Sequence, residues 1–162
     1  VLAMSDVDHF KKFNDTHGHD VGDQVLRLVA SKLSKISGGG RAYRYGGEEF
    51  ALVFAGKTLE ECMPHLEVIR ESIASYNIQL RNQENRPQDD QQGRQRRGGS
   101  GASSVSVTVS IGVAERVEQR TPEEVLKSAD QALYSAKGAG RNCVMAFGQN
   151  RRGAVRMDSA AG

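Results

Sequence analysis

The chain has 162 residues, a length typical of one domain of roughly 100 to 200 residues. Its 38% hydrophobic content supports a modest core, whereas a formal net charge of +2 is too small to mark a binder of nucleic-acid polymers. No apolar run approaches the roughly 20 residues that cross a bilayer, and the first residues lack the features of a secretory signal. Cys62 and Cys143 form no Cys-x-x-Cys pair, which favours a reducing, cytoplasmic compartment. These features predict a small soluble globular domain.

The first part of the chain predicts a strand, a helix and a hairpin. Residues 1–7 are an apolar run that ends in acids, which predicts a strand. Residues 20–36 have the apolar spacing of a helix, which the glycines at 38–40 terminate. Residues 41–45 and 50–54 flank two glycines, a pattern typical of a β-hairpin.

The second part predicts two helices and two strands. Thr58 and Glu61 form a capping box that opens a helix, in which Pro64 predicts a kink or a restart. Residues 105–114 alternate as a strand, a second capped helix runs from Thr121 to near Gly138, and 143–147 form a last short strand. The polar residues 82–104 predict a mobile loop insertion, and 148–162 a flexible tail.

The order of these elements is β-α-β-β-α-β-α-β. A sequential hairpin combined with crossover helices predicts an α+β fold related to the ferredoxin-like plan. We therefore expect a central antiparallel sheet flanked by helices.

Two acidic clusters are candidates for metal chemistry. Asp6 and Asp8 follow the first strand, and Glu48 and Glu49 follow the two glycines of the hairpin. If the strand and the hairpin are neighbours, Asp6, Asp8 and Glu48 converge, and such carboxylates suit a pair of Mg²⁺ ions for in-line nucleotidyl transfer. The plainer interpretation is solvated loop acids and an ordinary hairpin with a charged edge.

Two further pairs are candidates for nucleotide binding. Asp23, with Asn14, can accept the N1–H and amine of guanine, whereas Lys137 and Arg141 bracket a flexible stretch and can grip a terminal phosphate. In the plainer interpretation, Asp23 completes a cap begun by Asp20 and Asn14 caps a turn, while the cations cap the last helix.

In chain order, four stretches resemble the GGDEF domain of bacterial diguanylate cyclases: SDVDHFKKFNDTHGHDVGDQVL, RYGGEEF, VTVSIGVA and ADQALYSAKGAGRN. They extend over nearly the whole chain apart from residues 82–104 and the tail. The resemblance implies that residues 1–147 form a GGDEF domain with the palm-like fold of nucleotidyl cyclases.

The resemblance also implies a metal site and a general base. Asp6, Glu48 and the backbone carbonyl of Val7 are the implied ligands of Mg²⁺, with Mn²⁺ as an alternative ion, and Asp8 supports them. Glu48 or Glu49 is the implied general base for the attacking 3′-hydroxyl, and we favour Glu48 because it lies next to the metal.

For the phosphates, the resemblance implies that the amides of Phe10 and Lys11 hold the β- and γ-phosphates. Lys137 and Arg141 are implied to contact the γ-phosphate.

For the nucleoside, the resemblance implies that Asn14 and Asp23 read the guanine. Arg44 leads into the hairpin, where Gly46 and Gly47 leave space for the α-phosphate and the ribose.

In the family's reaction, two GTP molecules become cyclic di-GMP and two pyrophosphates, with one GTP held by each subunit. The resemblance thus implies GTP as substrate, cyclic di-GMP as product and a homodimer as the active species. No nucleic-acid polymer is expected as a partner.

Three features depart from the family pattern. Residues 37–40 read Ser-Gly-Gly-Gly where many members carry an Arg-x-x-Asp motif, so product inhibition there is expected to be absent. The insertion at 82–104 exceeds the usual connection. The usual leading helical segment is missing, so we expect an N-terminally truncated domain whose regulatory domain precedes it in a parent protein that is either free or membrane-tethered.

Two alternative functions remain open from the sequence. One is a catalytically silent module that binds GTP or cyclic di-GMP, although such domains generally lose acids that this chain retains. The other is a related cyclase that uses ATP or makes a mixed dinucleotide, against which Asp23 argues.

Overall fold

The structure is a computed structural model that describes residues 1–80, 103–118 and 120–148. Within these ranges, no helix has both the length and the apolar character needed to cross a bilayer. Nearly all of the predicted tail and of the predicted insertion lie outside the described residues.

Four helices and seven strands follow one another along the described chain. The first six elements are β1 (Leu2–Val7), α1 (Phe10–His17), α2 (His19–Leu33), β2 (Gly40–Gly46), β3 (Glu49–Phe54) and α3 (Leu59–Ala74). The remaining five are β4 (Ile78–Gln79), β5 (Ser104–Val105), β6 (Val109–Ala114), α4 (Pro122–Gly138) and β7 (Val144–Ala146).

Strand β1 lies at the centre of a five-stranded sheet with the order β2-β3-β1-β6-β7. It pairs antiparallel with β3 on one side and with β6 on the other, and β2 pairs antiparallel with β3. The α+β fold predicted from the sequence is confirmed. The one departure is that β7 runs parallel to β6, so the sheet is mixed at that edge.

The helices bury both faces of this sheet. Because side chains alternate along a strand, Ala3 and Val7 of β1 join the core cluster that contains α2 and α3, whereas Met4 joins the cluster that contains α4. Asp6 therefore shares the face of Met4 and points toward α4. Helix α4 lies close against β6, since a Cβ built at Gly112 would stand 2.0 Å from the backbone nitrogen of Leu133.

Several local predictions were wrong. Helix α1 was not predicted, because an eight-residue helix is too short for its apolar spacing to stand out. The helix predicted over 20–36 begins at His19 and ends at Leu33. Helix α3 runs through Pro64 without the restart that was one of the two expectations, whereas a kink at the proline stays a prediction.

The strand predicted over 105–114 is in fact two strands. Residues 106–108 separate β5 from β6, and β5 pairs with β4 in a two-stranded ribbon that the sequence did not reveal. Ser104, predicted as the last residue of the loop insertion, lies in β5. A two-residue strand has no detectable alternation of its own, so only its pairing identifies it.

Candidate active site

The end of β1 presents a buried carboxylate to the end of α4. Asp6 is 6% exposed, and its Oδ1 lies 3.0 Å from Nζ of Lys137. Burial raises the pKa of Asp6, and the neighbouring charge of Asp8 raises it further, although the hydrogen bond and the charge of Lys137 and the charge of Arg141 oppose this rise. Asp6 is thus a buried acid that interacts with charged groups of both signs.

The hairpin between β2 and β3 brings both glutamates to this acid. Glu49 stands directly opposite Asp6 in the antiparallel register, and the carbonyl of Glu48 accepts a hydrogen bond from the amide of Val7 at 3.3 Å. Burial is the largest cause that raises the pKa of each glutamate, and the charge of Asp6 is the next. The prediction that the first strand and the hairpin are neighbours is confirmed.

The turn of this hairpin is stabilised by its own hydrogen bonds, and its backbone is accessible to solvent. The guanidinium of Arg44 donates two hydrogen bonds to the carbonyl of Gly47, at 3.2 Å from Nε and 2.8 Å from Nη2. Gly47 has a φ of 54°, a conformation that favours glycine. A Cβ built at Gly46 would meet no atom of the described residues within 4 Å, so the backbone of the turn is accessible to a ligand.

Helix α1 begins just after the acidic turn that follows β1. Its N-cap, His9, is left-handed with a φ of 55°, and within the described chain no side chain caps the helix. The amides of Phe10 and Lys11 belong to the first turn, which has no intrahelical acceptors. Such amides, together with the helix dipole, attract anions such as phosphate.

Asn14 and Asp23 lie on consecutive helices that meet at Gly22. The Oδ1 atom of Asn14 is buried without a hydrogen-bond partner among residues 1–80, 103–118 and 120–148, and a Cβ built at Gly22 would fall 1.7 Å from it. Asp23, one residue further along α2, is exposed. The N-cap of α2 is Gly18, and no side chain of the described part caps it, so the capping interpretation of Asp23 with Asp20 is wrong.

Asp8 has a different environment from Asp6. It is 6% exposed, and its carboxylate accepts hydrogen bonds from Oγ1 of Thr108 at 2.7 Å, Oγ of Ser110 at 2.6 Å and the amide of Asn142 at 3.0 Å. Its oxygens are therefore engaged by protein donors. Convergence of Asp8 with Asp6 and Glu48 on a metal pair, one of the sequence expectations, receives no support from this arrangement.

The donor set at the end of β1 fits one type of metal ion better than others. Within the described ranges, no group of three or more His, Cys, Asp and Glu side chains is placed to hold a metal. Asp6 and Glu48 are close enough for the charge of one to raise the pKa of the other, a repulsion that a cation relieves. Two carboxylates suit Mg²⁺, which takes its other ligands from water and substrate phosphates.

Three residues of this region were missed by sequence reasoning, two of them through their contacts. Gly22 receives the side chain of Asn14, and the amide of Asn142 binds Asp8. Both contacts join segments that are separate along the chain, and neither residue type marks such a contact in a sequence. Charge from Asp130 on α4, also unpredicted, contributes to the raised pKa of Glu49.

Comparison with known proteins gives a consistent result. Residues 1–143 match the model of the family described as "Diguanylate cyclase, GGDEF domain". The chain is 40% identical over 145 residues to the diguanylate cyclase VdcA of Vibrio cholerae, a match that covers 89% of this chain and 38% of VdcA. It is 37% identical over 144 residues to the response regulator PleD of Caulobacter vibrioides, covering 88% of this chain and 28% of PleD.

A solved structure is similar over the same region. The GGDEF domain of DgcB from Caulobacter crescentus, in complex with c-di-GMP, superposes with a TM-score of 0.76 at 38% identity. The match covers 91% of this chain and 77% of that one. The chain thus spans well under half the length of the two curated relatives, whereas it spans most of a solved domain.

Proposed function

Since the chain belongs to the GGDEF family, we propose that it is a diguanylate cyclase domain that condenses two GTP molecules into cyclic di-GMP and two pyrophosphates. The observation that carries this proposal is the convergence of Asp6, Glu48, Glu49 and Lys137 beside the amino end of α1. The site then combines acids for a metal, a cation and the first-turn amides of α1 for phosphates.

The acids of this site would hold Mg²⁺. In the proposal, Asp6, Glu48 and the carbonyl of Val7 are its ligands, and Mn²⁺ is an alternative ion. Mg²⁺, when bound, supplies positive charge that stabilises the charge developing on the transferred phosphoryl group.

The residues around the acids position the substrate. The amides of Phe10 and Lys11 donate hydrogen bonds to the β- and γ-phosphates, and the side chains of Lys137 and Arg141 neutralise the γ-phosphate. Because Lys137 already lies 3.0 Å from Asp6, phosphate and metal would be held within reach of one another.

The chemical step is an in-line displacement at phosphorus. Glu48 is the proposed general base and takes the proton of the 3′-hydroxyl, with Glu49 as the alternative. The 3′-oxygen of one GTP then bonds to the α-phosphorus of the other, and the bond between that phosphorus and the pyrophosphate oxygen breaks. The exposed backbone at Gly46 and Gly47 leaves space for the α-phosphate and ribose of the substrate.

Asn14 and Asp23 are the proposed readers of the base. A carboxylate accepts both the N1–H and the amine of guanine, which adenine cannot offer. The unpartnered Oδ1 atom of Asn14, judged over the described chain, supports a role for this side chain at a ligand. These residues therefore favour GTP over ATP.

Turnover requires two copies of the domain in this proposal. Each copy holds one GTP, so a homodimer must bring the two substrates face to face, and proximity supplies much of the rate enhancement. A regulatory region that precedes the domain in a longer parent protein would control this encounter.

The test of the proposal is a product assay. The concentrated domain is incubated with GTP and Mg²⁺, and cyclic di-GMP and pyrophosphate are measured for the wild type, Glu48→Ala and Glu118→Ala, an exposed acid away from the site. We expect product from the wild type and from Glu118→Ala but none from Glu48→Ala, with a rate per subunit that rises with protein concentration.

Two other outcomes would contradict this proposal. GTP or cyclic di-GMP binding without product at any concentration would favour a receptor domain, and equal turnover of ATP would refute the assignment of Asn14 and Asp23.

A further inference from the structure

Asp8 joins three segments that are distant along the chain. Its carboxylate accepts hydrogen bonds from the side chains of Thr108, just before β6, and Ser110, within β6. It also accepts the amide of Asn142, which lies 134 residues after Asp8 in the chain. At 6% exposure, Asp8 makes these bonds with little competition from water.

The segment that Asp8 holds has an unusual backbone. Arg141 and Asn142 both have positive φ angles, 66° and 45°, which are uncommon for residues other than glycine and persist only where the surroundings enforce them. The amide of Arg141 donates to the carbonyl of Ala136, and Oδ1 of Asn142 accepts from Nη1 of Arg70 at 2.8 Å. The bond from Asn142 to Asp8 anchors the same turn to the end of β1.

This turn carries a cation of the proposed site. Arg141 lies just after α4, and Lys137 in the last turn of that helix has its Nζ 3.0 Å from Oδ1 of Asp6, so the turn begins beside the acids of the site. A change in the turn would therefore redirect the guanidinium while Asp6 and the hairpin glutamates kept their places.

We propose that Asp8 is a positioning residue: by accepting the amide of Asn142, it holds Arg141 in the left-handed conformation that directs its guanidinium to the terminal phosphate of the nucleotide. Asp8 touches neither substrate nor metal. Both of its oxygens already accept protein donors, Oδ1 from Ser110 and Oδ2 from Thr108 and Asn142. This inference rests on the proposed function, because it takes the phosphate-binding role of Arg141 from there.

The test compares two substitutions at Asp8 with a control at Thr108. Asp8→Ala removes all three bonds. Asp8→Asn keeps a side-chain oxygen that accepts the amide of Asn142. Its side-chain NH2 can then donate a hydrogen bond to the hydroxyl of Ser110. Thr108→Val removes one hydrogen bond to the same carboxylate oxygen and leaves the bond from Asn142 intact.

Binding is measured by calorimetry, with Mg²⁺, to an α,β-methylene analogue of GTP and to GDP, which lacks the terminal phosphate. We expect Asp8→Ala to weaken binding of the GTP analogue about tenfold, which is the effect of one lost charge-assisted contact. Binding of GDP should weaken by less than about twofold. Asp8→Asn and Thr108→Val should both stay within about twofold of the wild type for both ligands.

A double-mutant cycle tests the route through Arg141. In an Arg141→Ala background, Asp8→Ala should cost almost no further affinity for the GTP analogue, since the contact is already gone. Additive losses, or equal losses for the GTP analogue and GDP, would overturn the inference. So would a loss in Thr108→Val equal to that in Asp8→Ala, because it would mark a structural effect alone.

Urea unfolding of each variant shows that binding is measured on folded protein. If Asp8→Ala does not fold, Asp8→Ser replaces it, since serine keeps one polar atom near Ser110 but lacks the second oxygen that accepts the amide of Asn142. The same selective loss for the GTP analogue is then expected, and unchanged affinity would overturn the inference. A wild type that binds no GTP analogue refutes the proposed function itself, a result distinct from all of these.

Discussion

Nζ of Lys137, near the end of α4, lies 3.0 Å from Oδ1 of Asp6, near the end of β1. The two residues of this ion pair are 131 positions apart in the sequence, and the carboxylate of Asp6 is almost fully buried. Since a buried charge without a partner costs considerable free energy, this pair matters to the fold as well as to the site.

Replacing Lys137 should therefore destabilise the domain. Lys137→Met keeps the length of the side chain but leaves Asp6 without its cation, and we expect a loss of about 1–3 kcal/mol in the free energy of unfolding. The measurement is urea unfolding at neutral pH, with Lys127→Met, an exposed lysine of the same helix, as the control. Equal unfolding midpoints for the two variants would show that the ion pair contributes nothing.

A methyl group at Gly22 should displace Asn14. A Cβ there would stand 1.7 Å from Oδ1 and 2.9 Å from Cγ of Asn14, so the asparagine must move. In the proposed site, Gly22→Ala should raise KM for GTP about tenfold with a smaller change in kcat, because one contact to the base is lost. Steady-state kinetics beside Ser31→Ala, an exposed position of the same helix, would check this, and an unchanged KM would contradict it.

A methyl group at Gly112 should destabilise the fold more strongly. A Cβ there would lie 2.0 Å from the nitrogen of Leu133 and 2.4 Å from the carbonyl oxygen of Ala129, which are backbone atoms of α4. Because a backbone cannot rotate away, Gly112→Ala should cost about 3 kcal/mol, whereas Ile111→Val on the same strand should cost about 1 kcal/mol. Urea unfolding measures both, and similar losses would disprove close packing of α4 on β6.

The capping box of α3 predicts a pH-dependent contribution to stability. The hydrogen bond from the amide of Thr58 holds the pKa of Glu61 below its ordinary value. A lowered pKa means that the stabilisation is present at neutral pH and is lost as the pH falls through the folded-state pKa, below the unfolded value of about 4.3. Glu61→Gln should thus be less stable than the wild type at pH 7, with a difference that shrinks under acid conditions.

The control for this prediction is Glu60→Gln, which removes the same charge from the same helical turn but not the cap. Thermal unfolding of the three proteins from about pH 7 to about pH 3 spans the titration of an ordinary glutamate. A stability difference between Glu61→Gln and the wild type that stays constant over this range would contradict the assignment.

Elements with strong local signals could be predicted from the sequence. The hairpin was predicted from two glycines between apolar runs, and both capping boxes are present with Thr58 and Thr121 as N-caps. Elements without such signals could not. Helix α1 is short, so its apolar spacing does not stand out. Strands β4 and β5 have two residues each and are identified only by their pairing with one another, which no local sequence pattern predicts.

By itself, the sequence determined the family, the fold class and the identity of the acids, amides and cations of the candidate site, because motifs and caps are encoded over a few consecutive residues. The tertiary structure alone decided which of these residues meet. It paired Asp6 with Lys137, and it engaged Asp8 with β6 and with Asn142, although the two acids are neighbours in one motif. The physical reason is that side chains alternate along a strand and partners come from distant elements, so the environment of a carboxylate is set only when the sheet and α4 close around it.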